Sequence, residues 1–138
     1  MGITFSFGVT PLHIASDLCL PKTVKNLLSK KGIDVNVQTD KGKTPLHHAI
    51  ESNSIEIVKI LLQESSINPN IPDKRSRTPL HLAAKLNRIE IFCLLLCQNS
   101  INVSVFDIKV YINFLIERHM RWLLKRSILK SLIYAKIT

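Results

Sequence analysis

Thr44-Pro45-Leu46-His47-His48-Ala49-Ile50 is the stretch whose reading decides the fold. Its Thr-Pro-Leu-His core occurs three times, at residues 10–13, 44–47 and 78–81, each copy 34 positions after the last. A tetrapeptide returning at one fixed interval marks an array of like units rather than a single irregular core. Every residue type in the stretch suits the opening of a helix. The Thr44 hydroxyl can accept backbone N–H groups as an N-cap, which is worth about 1 kcal/mol over alanine. Pro45 stands at the first helical position, where its missing N–H costs nothing. Leu46, Ala49 and Ile50 then form an i, i+3, i+4 stripe that must be buried.

Working outward, Asn53 falls where this helix should stop and can adopt a left-handed conformation. A second helix is predicted beyond it, apolar at Ile57, Ile60 and Leu61 and polar at Glu56, Lys59 and Gln63. Ile67-Asn68-Pro69-Asn70 follows as a polar, proline-punctuated return. The other units align at the same interval. Ala15 and Ala83 match Ala49, Val24 and Phe92 match Val58, and Leu27-Leu28 and Leu95-Leu96 match Leu61-Leu62. Ile33-Asp34-Val35-Asn36 and Ile101-Asn102-Val103-Ser104 match the return. Helices of about ten residues that expose an apolar face do not hold alone, so the units must stack and cover one another.

Each copy continues as T-P-L-H-x-A, through Ala15, Ala49 and Ala83, and over roughly residues 5–109 the chain resembles the ankyrin-repeat family. That resemblance implies an all-α solenoid of helix–turn–helix units joined by β-hairpin-like loops, with a C-terminal helical extension. The units expected are 5–38, 39–72 and 73–106, with a divergent basic helical tail, a degenerate fourth repeat or cap, over 107–138. A fourth Thr-Pro-Leu-His should begin at position 112, where the chain reads Ile112-Asn113-Phe114-Leu115. The family's glycine between the two helices is replaced by Cys19, Asn53 and Asn87. Cys19 carries a steric cost in a left-handed turn, and Pro21 nearby can set that turn differently. The hairpin glycine is kept as Gly8 and Gly42 and becomes Ser76 in the third unit. The first unit is expected to begin near Phe5, with no N-terminal cap visible ahead of it.

Composition narrows the class. The chain has 138 residues, 46% hydrophobic and 21% charged, as in a folded soluble domain rather than a disordered one. Its three cysteines form no C-x-x-C and no even-numbered framework, so they read as reduced thiols of a cytoplasmic or other reducing intracellular compartment. The family also occurs in intracellular bacteria and large viruses, which leaves delivery into a host cell open. The N-terminus lacks the basic start and apolar run of a signal peptide, and no apolar stretch is long enough to span a bilayer. The Asn102-Val103-Ser104 sequon is read as a chance match. The net charge of +9 divides unevenly: residues 1–106 carry 12 basic and 8 acidic side chains, residues 107–138 carry 7 and 2. More than half of the excess lies in the tail, so overall charge says little about the repeats.

Five histidines invite a metal or catalytic reading. His13, His47 and His81 recur with the repeat, and the resemblance implies that they hydrogen-bond within and between units. His48 is the one non-repeating histidine within the repeats and is read as a surface residue. H-E-x-x-H, G-x-S-x-G, Walker A and G-x-G-x-x-G motifs are all missing from the sequence. No catalytic residue, cofactor or metal is expected, and the chain is not expected to be an enzyme. The family binds partners through its hairpin tips and the exposed face of each first helix. Carried onto this chain, the tips are Asp40, Lys41 and Lys43, then Asp73, Lys74, Arg75 and Arg77. The helix positions are Asp17 and Leu18, then His48, Glu51 and Ser52, then Leu82, Lys85 and Leu86. Basic tips favour another protein with an acidic segment, and the chain is expected to be monomeric.

The tail supports other readings. Ile112, Leu115, Ile116, Met120 and Leu123 fall at helical spacing and can cap the array, while Arg118, Arg121, Lys125, Arg126 and Lys130 are interleaved with apolar residues. The second reading of function is nucleic-acid or anionic-membrane association through this basic tail, and a third is a remnant of a longer array. The abrupt loss of register after Lys109 also fits a shifted reading frame.

Overall fold

The computed structural model describes residues 8–102, and the readings placed on the tail, on Phe5 and on residues 103–138 lie outside that range. Six helices follow one another: α1 (Pro11–Asp17), α2 (Pro21–Leu28), α3 (Pro45–Glu51), α4 (Ile55–Leu62), α5 (Pro79–Lys85) and α6 (Ile89–Leu96). They form three helix–turn–helix units. Among the described residues there is no strand, and no helix is long and apolar enough to cross a membrane.

Each unit starts as the sequence dictates. Thr10, Thr44 and Thr78 are extended N-caps, and the proline after each is the first helical residue. In the second and third units the threonine hydroxyl accepts the backbone N–H of His47 or His81, satisfying one of the free donors of the first turn. The stripe predicted on α3 is buried: Leu46 is 1% exposed, Ala49 and Ile50 not at all. On α4, Ile57, Val58, Ile60, Leu61 and Leu62 are buried, and Glu56, Lys59 and Gln63 are exposed.

Helices α1, α3 and α5 pack in order as one layer, and α2, α4 and α6 as a second behind it. One contiguous apolar cluster runs between the layers from Leu12 to Ile101. Burial is unequal along it. Helix α2 buries only Val24, whereas α4 buries five residues, because α2 carries Lys22, Thr23 and Asn26 where α4 carries Glu56, Ile57 and Ile60.

The first helix of each unit stops in the same way. Asn53 has φ of 56°, its N–H bonds Ile50 O at 3.1 Å, and the N–H of Ser54 reaches back to Ala49 O at 2.9 Å. This double bond pattern satisfies carbonyls that the helix end would otherwise leave free. Asn87 repeats it with φ of 60°. Cys19, at φ of 56°, repeats it as well, so Pro21 does not redirect the first turn but simply opens α2.

The connecting loops are tight turns without strand pairing long enough to form a ladder. Thr39 N–H bonds Lys43 O at 2.9 Å, and Gly42 N–H bonds Thr39 O at 2.8 Å. The next turn repeats these bonds as Asp73 to Arg77 and Ser76 to Asp73. Gly42 has φ of 77° and its missing Cβ would lie 2.8 Å from Lys74 N, so two separate constraints demand glycine there. Ser76 holds φ of 60° with a Cβ in place. A Gly42→Ala variant is therefore expected to lose more than about 1 kcal/mol, and Ser76→Gly to gain about 1 kcal/mol, in urea unfolding. Equal midpoints for wild type and both variants would refute this account of the turns.

Candidate partner-binding surface

The repeating histidines hold the surface in shape. The backbone N–H of Thr44 donates to His47 Nδ1 at 3.1 Å, and His47 Nε2 lies 3.0 Å from Arg77 O in the next loop. A backbone N–H can only donate and a carbonyl can only accept. The ring is therefore neutral, with its proton on Nε2. His13 does the same between Thr10 and Lys43 O, at 3.0 Å on both sides. His81 makes the same bond to Thr78 within its own unit, at 3.3 Å. Burial holds His13 and His47 below the usual imidazole value, an effect that the bond to the next carbonyl opposes but does not cancel.

Two neighbouring loop tips form an open cleft of about 270 Å3, lined by Asp40, Lys41, Lys43, Asp73, Lys74, Arg75 and Arg77. The tips touch through the backbone, Lys74 N–H to Lys41 O at 3.0 Å. Not all of the charge is available. Asp73 Oδ1 accepts the backbone N–H groups of Arg75 and Arg77, both at 2.9 Å, and Oδ2 accepts Arg77 Nε at 3.0 Å. Burial pushes the Asp73 carboxyl up, but these bonds and the Arg77 charge outweigh it and hold the group below its usual value. Lys43 is paired with Glu51. Lys41, Lys74 and Arg75 remain exposed with no ion pair among the described residues, beside one exposed carboxylate, Asp40.

The helix positions divide. Asp17, Leu18 and Lys85 are exposed; Leu18, at 63%, is the most exposed large apolar side chain among the described residues. Glu51, Leu86 and His48 are half-buried, and Leu86 packs on the core cluster. Ser52 is tied down instead of presented: its hydroxyl donates to Ser16 O at 2.9 Å, joining the ends of α1 and α3. Leu82 departs from expectation. It is 1% exposed and part of the core, so it is not a partner contact. An aliphatic chain gains about 2 kcal/mol by leaving water, and that gain favours packing wherever the register allows it.

Two features escaped the sequence. Arg88, which opens α6, reaches across to the end of α3, where its guanidinium donates to Ile50 O at 3.3 Å and Glu51 O at 3.0 Å. A cation on the carbonyl end of a helix is favourable, but the pair is 37 residues apart and no local pattern signals it. The other is His48, whose Nδ1 lies 3.2 Å from Asp17 Oδ1 and whose ring meets that of His13 edge-on at 5.0 Å.

A family model for ankyrin repeats matches three copies over residues 12–107. The chain belongs to the ankyrin-repeat family. A search of the curated proteins finds no match. Ankyrin repeats are in general modules that bind other proteins.

The histidine geometry sets a pH dependence. His13 and His47 have folded-state values below their unfolded one, so the unfolded chain takes up protons first as pH falls. Stability is full above the unfolded value of about 6.5 and is lost progressively below it, toward the folded values. Thermal unfolding followed by circular dichroism should show a falling midpoint from about pH 7.5 to about pH 5. His47→Gln, less stable at neutral pH, should show a shallower fall because one titrating ring is gone. A midpoint that does not move over this interval contradicts the assignment.

Proposed function

We propose that the chain is a noncatalytic protein-interaction scaffold whose partner presents an acidic segment to the loop tips. One observation carries this reading: Lys41, Lys74 and Arg75 converge on one cleft while their cationic neighbours Lys43 and Arg77 are already neutralised by Glu51 and Asp73. Paired cations hold the scaffold, and unpaired ones are left to meet a partner. Exposed charge of this kind steers encounter and selects sign more than it adds affinity, which suits a module that must find an extended acidic strand. Leu18, directly after α1, and Lys85, the last residue of α5, are exposed and extend the contact beyond the tips.

The test is fluorescence anisotropy with a labelled glutamate-rich peptide at low salt. The triple variant K41E/K74E/R75E is expected to weaken binding at least about tenfold, with a reduced dependence on salt. Lys22, Lys25 and Lys59 are exposed on the second helices, so K22E/K25E/K59E makes the same change in net charge away from the tips. It should leave binding close to wild type. Equal losses in the two triple variants would mean that overall charge, not the cleft, binds the peptide.

A further inference from the structure

We propose that Asp17, His48 and Glu51 form a binding site for a divalent metal ion of the zinc class, at the junction of α1 and α3. One ligand atom from each lies within 4.8 Å of the other two. His48 and Glu51 are one helical turn apart on α3, and Asp17 closes α1, so two packed helices bring the three side chains together.

His48 separates this cluster from an ordinary group of surface charges. The repeating rings of His13 and His47 have both nitrogens engaged, one by a threonine N–H and the other by a carbonyl. His48 does not. Each of its ring nitrogens is buried, and neither makes a hydrogen bond. Its Nδ1 lies within ion-pair distance of Asp17, at 3.2 Å, but outside hydrogen-bond alignment. A buried polar atom without a partner is costly, and sites that bind an ion are among the places where such atoms persist. The ring also meets that of His13 edge-on at 5.0 Å, a contact that leaves both of its nitrogens without a hydrogen bond. Its counterparts one repeat away on either side are Ile14 and Leu82, so the repeat itself does not call for histidine here.

The donor set fits. Imidazole nitrogen and carboxylate oxygen are both zinc ligands, and an open zinc site holds three protein groups and leaves a fourth position for water or another ligand. Metal–ligand bonds of about 2.0–2.2 Å put tetrahedral ligands roughly 3.5 Å apart. His48 Nδ1 and Asp17 Oδ1, 3.2 Å apart, already stand near that spacing, and the inward shift of about an ångström that remains involves Glu51. Lys43 is the natural competitor, because its ammonium already sits on Glu51. A bound dication would displace it or take the other carboxylate oxygen.

The experiment is calorimetric titration of the full chain with zinc chloride, and with cobalt chloride read by its visible d–d absorption. One ion per chain is expected, with the absorption of a site bound by nitrogen and oxygen. His48→Ala and Asp17→Asn should each weaken binding about tenfold or more; Asp17 is exposed, so its variant remains informative if His48→Ala folds poorly. Lys43→Met should tighten binding, because it removes the competing cation and keeps the carboxylate. The proposal is overturned if no ion binds, if both ligand variants bind as wild type does, or if Lys43→Met leaves affinity unchanged. A strong sulfur-to-cobalt band would also overturn it, by placing the ion on Cys19, Cys93 or Cys97 instead.

Discussion

Everything in this structure leans on a neutral imidazole bonded at both ends. His47 takes the free N–H at the mouth of its own helix and gives its proton to a carbonyl 30 residues further along the chain. The first bond fixes where the helix begins; the second fixes where the next unit's loop must lie. Phase within a unit and spacing between units are thus set by a single side chain. A lysine could not accept, and a glutamate, having no proton to give, could not donate. Asparagine offers both but is too short to span a helix mouth and a neighbouring loop. The ring must also stay uncharged, since a proton on Nδ1 would meet a donor head-on.

A single apolar cluster runs through all three units, with no unit owning it. Each helix is only seven or eight residues long, well short of what holds in isolation. Stability therefore sits at the boundaries between units. Helix α2, which carries Thr23 and Asn26 where α4 carries Ile57 and Ile60, buries one residue where α4 buries five.

Much of this was legible in the sequence for a definite reason. A fixed period converts three weak local signals into one strong one, and Thr44-Pro45-Leu46-His47 specifies cap, start and buried stripe together. The left-handed turn at Cys19 follows from alignment with Asn53 and Asn87, against its own side-chain preference. What the period cannot show is which side chains meet across a unit boundary. Leu82 holds the register of an exposed position and is buried; His48 reads as surface and lies beside Asp17, 31 residues earlier. Arg88 on the end of α3 is a third case. Alignment says which residues are equivalent, not which are neighbours, and the candidate surface is made of neighbours.

The outer loops carry a second seam. Asn36 donates its amide to Ser66 O and accepts the N–H of Asn68, and Asn70 repeats both bonds with Ser100 and Asn102. In the asparagine and histidine bonds, both boundaries present the same donors and acceptors at the same places. The joints are interchangeable. Cutting out one whole period would bring Asn36 against Ser100 and His13 against Arg77 O, remaking the asparagine and histidine bonds of the lost joint. An architecture of this kind can lengthen or shorten by duplication or loss of a unit without redesign of the contact that holds it, so its length is free to vary while its cross-section is not.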